Sequence, residues 1–177
     1  MAQPEQRGSG REGAEHPRDE DVAAVEHESM LLGRHLSLIS GHRNGHAVLD
    51  RSGYTLLARV RIDPMSIGEL ARVTGLDAST LNRQTSALRR DGLVTRIGDP
   101  QGGRSRKFRI TERGEALYQR QRGINIHALH RILSGWSRED VERFATLLTL
   151  FNRGIEEVSG RVWEDTAQTP PPGEVAP

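Results

Sequence analysis

Between Ser66 and Asp91 two short amphipathic helical patterns stand back to back across a tight turn, and that unit constrains the fold of everything around it. Ser66-Ile-Gly-Glu69 has the spacing of a capping box, in which the serine hydroxyl takes up an orphan helix amide and the glutamate reaches back to the serine's own amide. A helix is therefore predicted from Ile67 to Val73. Gly75 lets it stop in a left-handed turn, and Asp77 caps a second helix predicted from Ala78 to Asp91. Ile67, Leu70, Ala71 and Val73 give the first helix an inner side, while Leu76, Leu81 and Leu88 anchor the second. The result is a helix-turn-helix.

With Leu81 and Leu88 seven residues apart on one face, the opposite face of the second helix presents Ser79, Thr80, Asn82, Arg83 and Ser86. Such a face suits the DNA major groove, where arginine pairs with guanine and asparagine with adenine, and it equally describes an ordinary solvated helix. The adjoining segment favours the DNA-reading role. From Leu93 to Ile110 helical periodicity gives way to two short runs containing Val94, Ile97, Phe108 and Ile110, which flank the turn-forming cluster Asp99-Pro-Gln-Gly-Gly103. This predicts a β-hairpin wing whose tip carries Arg104, Arg106 and Lys107. A basic wing beside a recognition helix can lie along the DNA backbone or enter the narrow minor groove.

Further helical patterns run from about Asp21 to Ser40, Ala47 to Arg61, Glu112 to Ile132 and Arg138 to Glu164, so six helices are expected. Ser137 caps the last, and Trp136 and Val141 have the spacing of a hydrophobic staple. Residues 1–20 and the Pro-rich residues 165–177 are read as disordered tails. Charge is partitioned along the chain: residues 1–30 carry 3 basic and 8 acidic groups, residues 31–65 carry 5 and 2, residues 66–122 carry 12 and 6, and residues 123–177 carry 5 and 8. The basic middle coincides with the helix-turn-helix and wing. Of the 25 basic residues only Lys107 is lysine, a bias that suits planar recognition of phosphate and guanine and also follows from a GC-rich genome.

These residues resemble the MarR-type winged-helix transcription regulators. The resemblance rests on Leu49 to Val60, Ser66 to Val94, the wing from Asp99 to Thr111, the run Thr111-Glu-Arg-Gly114 and the long terminal helix. It implies a homodimer that binds a pseudo-palindromic operator and commonly releases it when a small molecule binds between the DNA-reading and dimerising parts. One departure stands out: where such wings usually read Asp-x-Arg before the second strand, this chain has Gly102-Gly103-Arg104, which removes an acidic partner and predicts a looser wing.

The expected architecture is mainly α with a small hairpin: a winged helix-turn-helix over residues 47–110, flanked by dimerisation helices over residues 21–46 and 111–164, in a single domain spanning 21–164. Dimerisation has separate support, because Val141, Phe144, Leu148, Phe151, Ile155, Val158 and Val162 alternate spacings of three and four, with Leu147 and Leu150 widening the stripe. The expected function is a sequence-specific dimeric DNA-binding regulator, a repressor released by a small-molecule effector. The alternative is a winged-helix protein-interaction module without specific DNA binding. His35, Tyr54, Arg59 and Trp136 are candidates for an effector pocket, each with core packing or a surface position as the plainer role.

Other chemistries are narrowed by what the chain lacks. Without cysteine there is no disulfide, thiolate metal site or iron–sulfur cluster. His42 and His46, and His127 and His130, have ligand-like spacing but no recognisable further ligand, so neither metal nor cofactor is expected. No phosphate loop, nucleophile elbow or HExxH motif suggests an enzyme. The apolar runs are too short for a membrane span and the first thirty residues do not read as a signal peptide, so a cytoplasmic protein with no membrane partner is expected.

Overall fold

The computed structural model describes residues 16–39 and 49–163. Within them lie six helices and one two-stranded antiparallel sheet. None of these helices is long and apolar enough to cross a membrane. The expected tails fall almost wholly outside the described residues.

The first helix, α1 (Asp19–Ile39), opens on Asp19, Glu20 and Asp21, acids that complement the positive end of a helix dipole. It begins inside the stretch expected to be a tail. Arg18, just ahead of it, pairs with Glu20 at 2.8 Å and Asp21 at 3.0 Å.

The second unit of the chain starts with α2 (Arg51–Val60), capped by Asp50, which accepts the Gly53 amide at 2.6 Å. This start lies four residues later than the apolar pattern predicted, because the cap decides where the helix begins; Ala47 lies outside the described residues. Helix α3 (Ile67–Thr74) carries the full capping box and stops at Gly75, whose φ of 70° is readily adopted only by glycine. Helix α4 (Ala78–Arg90) follows, capped by Asp77. Strands β1 (Val94–Gly98) and β2 (Arg106–Ile110) pair from Val94↔Ile110 to Gly98↔Arg106. Met65 joins the hairpin edge through two backbone hydrogen bonds with Phe108, at 3.1 and 2.7 Å, and so ties the α2–α3 link to the wing.

One core holds this unit together. Leu56, Leu57 and Val60 from α2, Leu70 from α3, Leu81 and Leu88 from α4, and Leu93 and Phe108 from the hairpin are all buried in one cluster. Each such side chain contributes roughly 1.5–3 kcal/mol by leaving water. Gln121, on α5 (Glu112–Ile132), is one of the polar members of the interior; its Oε1 accepts the Leu49 amide at 3.3 Å and its amide donates to Asn125 at 2.9 Å. Gly114 lets the first turn of α5 lie directly against the Leu93 carbonyl, space that a Cβ would occupy.

Helix α6 (Arg138–Ser159) is capped by Ser137 as expected, but it ends well before Glu164, because Gly160 adopts φ 64° and turns the chain. Val162 of the apolar repeat therefore lies beyond the helix. Trp136 makes its aromatic contact edge-on with Phe144, with ring centroids 5.4 Å apart, one turn past the staple position. No residue of α6 is buried, and Phe144, Leu147, Leu150, Phe151, Ile155 and Val158 are all exposed.

Candidate nucleic-acid interface

The two faces of α4 separate as the spacing requires. Leu81, Thr85 and Leu88 are buried, whereas Ser79, Asn82, Arg83 and Ser86 are exposed and Thr80 is half-buried. Thr85 belongs to the inner face although it is polar; it satisfies its hydroxyl by donating to the Leu81 carbonyl at 2.7 Å.

Asp77 organises the amino end of this helix. Its carboxylate accepts the Thr80 amide at 2.8 Å, the Thr80 hydroxyl at 2.8 Å and the Ser79 hydroxyl at 2.5 Å. These bonds, the Ser79 hydroxyl foremost, hold the carboxyl well below the usual carboxylate range. One turn on, the Asn82 side-chain amide donates to the Ala78 carbonyl at 2.8 Å, which leaves its oxygen and one N–H uncommitted by that bond. The capping role of Asp77 is legible in the sequence. Its hold on both hydroxyls is not.

The three basic residues expected at the wing do not share a surface. Arg104 and Arg106 are exposed, but Lys107 is only 8% exposed. Its ammonium sits 3.0 Å from Glu69 Oε1 and 3.4 Å from Asp99 Oδ1. Successive residues on a strand face opposite ways, so Arg106 and Lys107 cannot both serve the same contact. The hydrogen bond to Glu69 holds the ammonium above the ordinary lysine range, against the cost of leaving water. Burial raises the Glu69 pKa, but hydrogen bonds from the Ser66 amide and hydroxyl, and then Lys107, outweigh it and bring the group down to about 2.

Asp99 has a second task. It accepts the Gln101 amide at 3.0 Å on its side chain and the Gly102 amide at 3.0 Å on its carbonyl, and it fills the space that a Cβ on Gly103 would need. At the base of the turn Asp99 and Glu69 together hold Lys107. The Lys107–Glu69 pair fastens the wing to α3.

A family model described as the MarR family matches residues 49–105, which run from the start of α2 into the wing. The HTH-type transcriptional regulator YxaD of Bacillus subtilis (strain 168), itself uncharacterized, is 32% identical over 76% of this chain and 94% of its own length. The chain belongs to the MarR family. A MarR family protein from Bacillus stearothermophilus shares the fold at 19% identity, with a TM-score of 0.68 over 78% of this chain and 98% of that one. The PcaV transcriptional regulator from Streptomyces coelicolor, solved in complex with its natural ligand, matches with a TM-score of 0.58 at 22% identity, over 74% of this chain and 93% of that one. The protein is a MarR-family, DNA-binding transcription regulator with a winged helix-turn-helix.

The remaining candidates have distinct surroundings. Tyr54 stacks on Tyr118 with ring centroids 4.9 Å apart and planes 10° apart. Burial, then the Tyr118 hydroxyl, pushes its phenol up to about 12. Arg59 is buried, with its guanidinium 6.0 Å from the Trp163 ring, and it lines a cavity of about 420 Å³ with Asp63, Glu69, Arg72 and Lys107. Trp136 is exposed and lines a different cavity, with Arg143, Phe144 and Leu147. His35 is an exposed residue of α1. His127 and His130 are exposed on α5, and no group of three or more metal-ligating side chains occurs among the described residues. His42 and His46 lie outside those residues.

Proposed function

We propose that this regulator works as a homodimer that reads a pseudo-palindromic operator, with Ser79, Thr80, Asn82, Arg83 and Ser86 of each α4 at the major groove and Arg104 and Arg106 of each wing on the flanking backbone or minor groove. The observation that carries the reading is the exposed polar face of α4 beside two exposed wing arginines. Lys107 is left out of the contact set, because two carboxylates already take its charge; its part is to set the wing's position. In this reading residues 47–110 read DNA, and residues 21–46 and 111–164 form the dimer. Two recognition helices related by a two-fold axis then meet successive turns of DNA, about 34 Å apart.

The exposed apolar stripe of α6 supports the dimer, since an exposed surface of that kind marks an association face. The ligand complex of PcaV supports release of DNA by a small molecule, and with it repression relieved by an effector. No enzymatic step is assigned to the protein.

The test is a salt titration of binding to the DNA upstream of its own gene against a random duplex, with the oligomer measured in parallel by light scattering. Binding at least roughly a thousandfold tighter than to random DNA, with a steep salt slope, is the expected result. Weak binding that is equal on both duplexes rules the specific reading out. Phe151→Glu is expected to give a monomer that has lost operator affinity but keeps its helical content; a dimer that survives this change removes α6 from the interface.

A further inference from the structure

We propose that Asp77 fixes the base preference of the recognition helix by turning the Ser79 and Thr80 hydroxyls into hydrogen-bond acceptors, so that they select cytosine or adenine through its exocyclic amino group. The inference rests on the reading that α4 enters the major groove.

A hydroxyl has one hydrogen to give and two lone pairs to offer. A carboxylate has no hydrogen at all, so at 2.5 Å from Ser79 and 2.8 Å from Thr80 both hydroxyl hydrogens must point at Asp77. The Thr80 amide is spent on the same carboxylate. Toward DNA, then, this end of the helix offers lone pairs and few hydrogens. Asn82 extends the pattern, since one of its amide hydrogens is held by the Ala78 carbonyl. In the major groove the groups that donate to such lone pairs are the amino groups of cytosine and adenine; guanine and thymine present acceptors at the corresponding edge.

Charge argues the same way. A helix amino terminus with free amides attracts phosphate. Here the carboxylate of Asp77 already occupies that end, and its strongly lowered pKa keeps it ionised. Phosphate is repelled from the place where Ser79 and Thr80 stand, which leaves base edges as their partners. Arg83, one turn further along and rich in donors, supplies the complementary half of the reading by facing guanine.

The experiment compares the full-length wild type with Asp77→Asn in selection from a random duplex library, together with affinities for single-base variants of the selected site. Asparagine caps a helix as well as aspartate does. Its carbonyl still accepts the Thr80 amide, but its NH₂ must donate to a hydroxyl oxygen, which turns that hydroxyl's hydrogen outward. Wild type is expected to select cytosine or adenine at one or two positions beside the guanine read by Arg83. Asp77→Asn is expected to shift one of those positions toward guanine or thymine, changing the discrimination roughly tenfold. Ser79→Ala and Thr80→Val should abolish the preference without reversing it, and they decide the matter if Asp77→Asn does not fold. Unchanged base preference across these variants overturns the inference while leaving the regulator intact. A wild type that selects no sequence overturns the reading of α4 itself, and the inference with it.

Discussion

Glu69 closes the capping box of α3 and anchors the lysine of the wing, so Glu69→Gln separates the charge of this group from its shape. Glutamine serves equally in a capping box and keeps an oxygen for the Ser66 amide, which the wild-type carboxylate accepts at 2.6 Å. What disappears is the negative charge, including the 3.0 Å ion pair with Lys107. The wild-type carboxyl lies at about 2 in the folded chain against an ordinary 4.5. At 1.36 kcal/mol per pH unit that difference corresponds to about 3 kcal/mol, which solvent screening of a partly exposed side chain reduces to about 2 kcal/mol. Because the folded pKa is depressed, this stability is fully present above pH 4.5 and is lost as the pH falls toward 2. Urea unfolding of both proteins at one fixed concentration is the assay, since self-association adds a concentration-dependent contribution. The variant should be about 2 kcal/mol less stable at neutral pH, and the gap should close between pH 4.5 and 2. A gap below about 0.5 kcal/mol at neutral pH, or one that stays constant down to pH 3, refutes the electrostatic argument.

Three further outcomes are expected. Arg83→Ala should cost about 1–3 kcal/mol on the operator and little on random DNA, whereas Arg104→Ala should weaken binding to all sequences and reduce the salt slope by about one; equal losses on both duplexes for Arg83→Ala sink its reading role. Gly114→Ala should destabilise the fold by more than about 2 kcal/mol in thermal unfolding, because the new methyl meets the Leu93 backbone carbonyl rather than a side chain that can turn away; a near-neutral result means α5 shifts freely. Tyr54 should form phenolate above the ordinary pH 10 in an ultraviolet titration of Tyr118→Phe, because burial, the largest cause of its raised pKa, remains when the Tyr118 hydroxyl is gone. Since that pKa is raised, its contribution to stability is present below pH 10 and lost as the pH climbs toward 12, so unfolding that is indifferent to this range contradicts it.

The helix-turn-helix is legible because its boundaries are set by chemistry between near neighbours. Ser66 with Glu69, Gly75, and Asp77 with Thr80 act within three or four residues, and each sits where the structure uses it. The end of α6 is not legible by the same route, since the apolar repeat runs on to Val162 while Gly160 breaks the helix first. Periodicity reports which face is apolar, and a single left-handed glycine decides where the face stops. The bridge between Met65 and Phe108 joins residues far apart in sequence by one pair of backbone bonds, and one pair leaves no period to detect. The burial of Lys107 is not legible in the sequence for a simpler reason. Counting charges along the wing treats neighbours as one patch, although strand geometry alone puts Arg106 and Lys107 on opposite sides. The triple use of Asp77 depends on hydroxyl directions, which a sequence does not carry.

Since every other basic side chain in the molecule is arginine, Lys107 holds its only side-chain amine, and Glu69 and Asp99 shield it while the wing stays docked. An amine-directed reagent therefore meets a single internal target, whose rate of modification is a clock for the wing leaving α3. DNA or an effector that clamps the wing must slow that clock, and one that frees the wing must quicken it, with no reactive residue engineered into the protein.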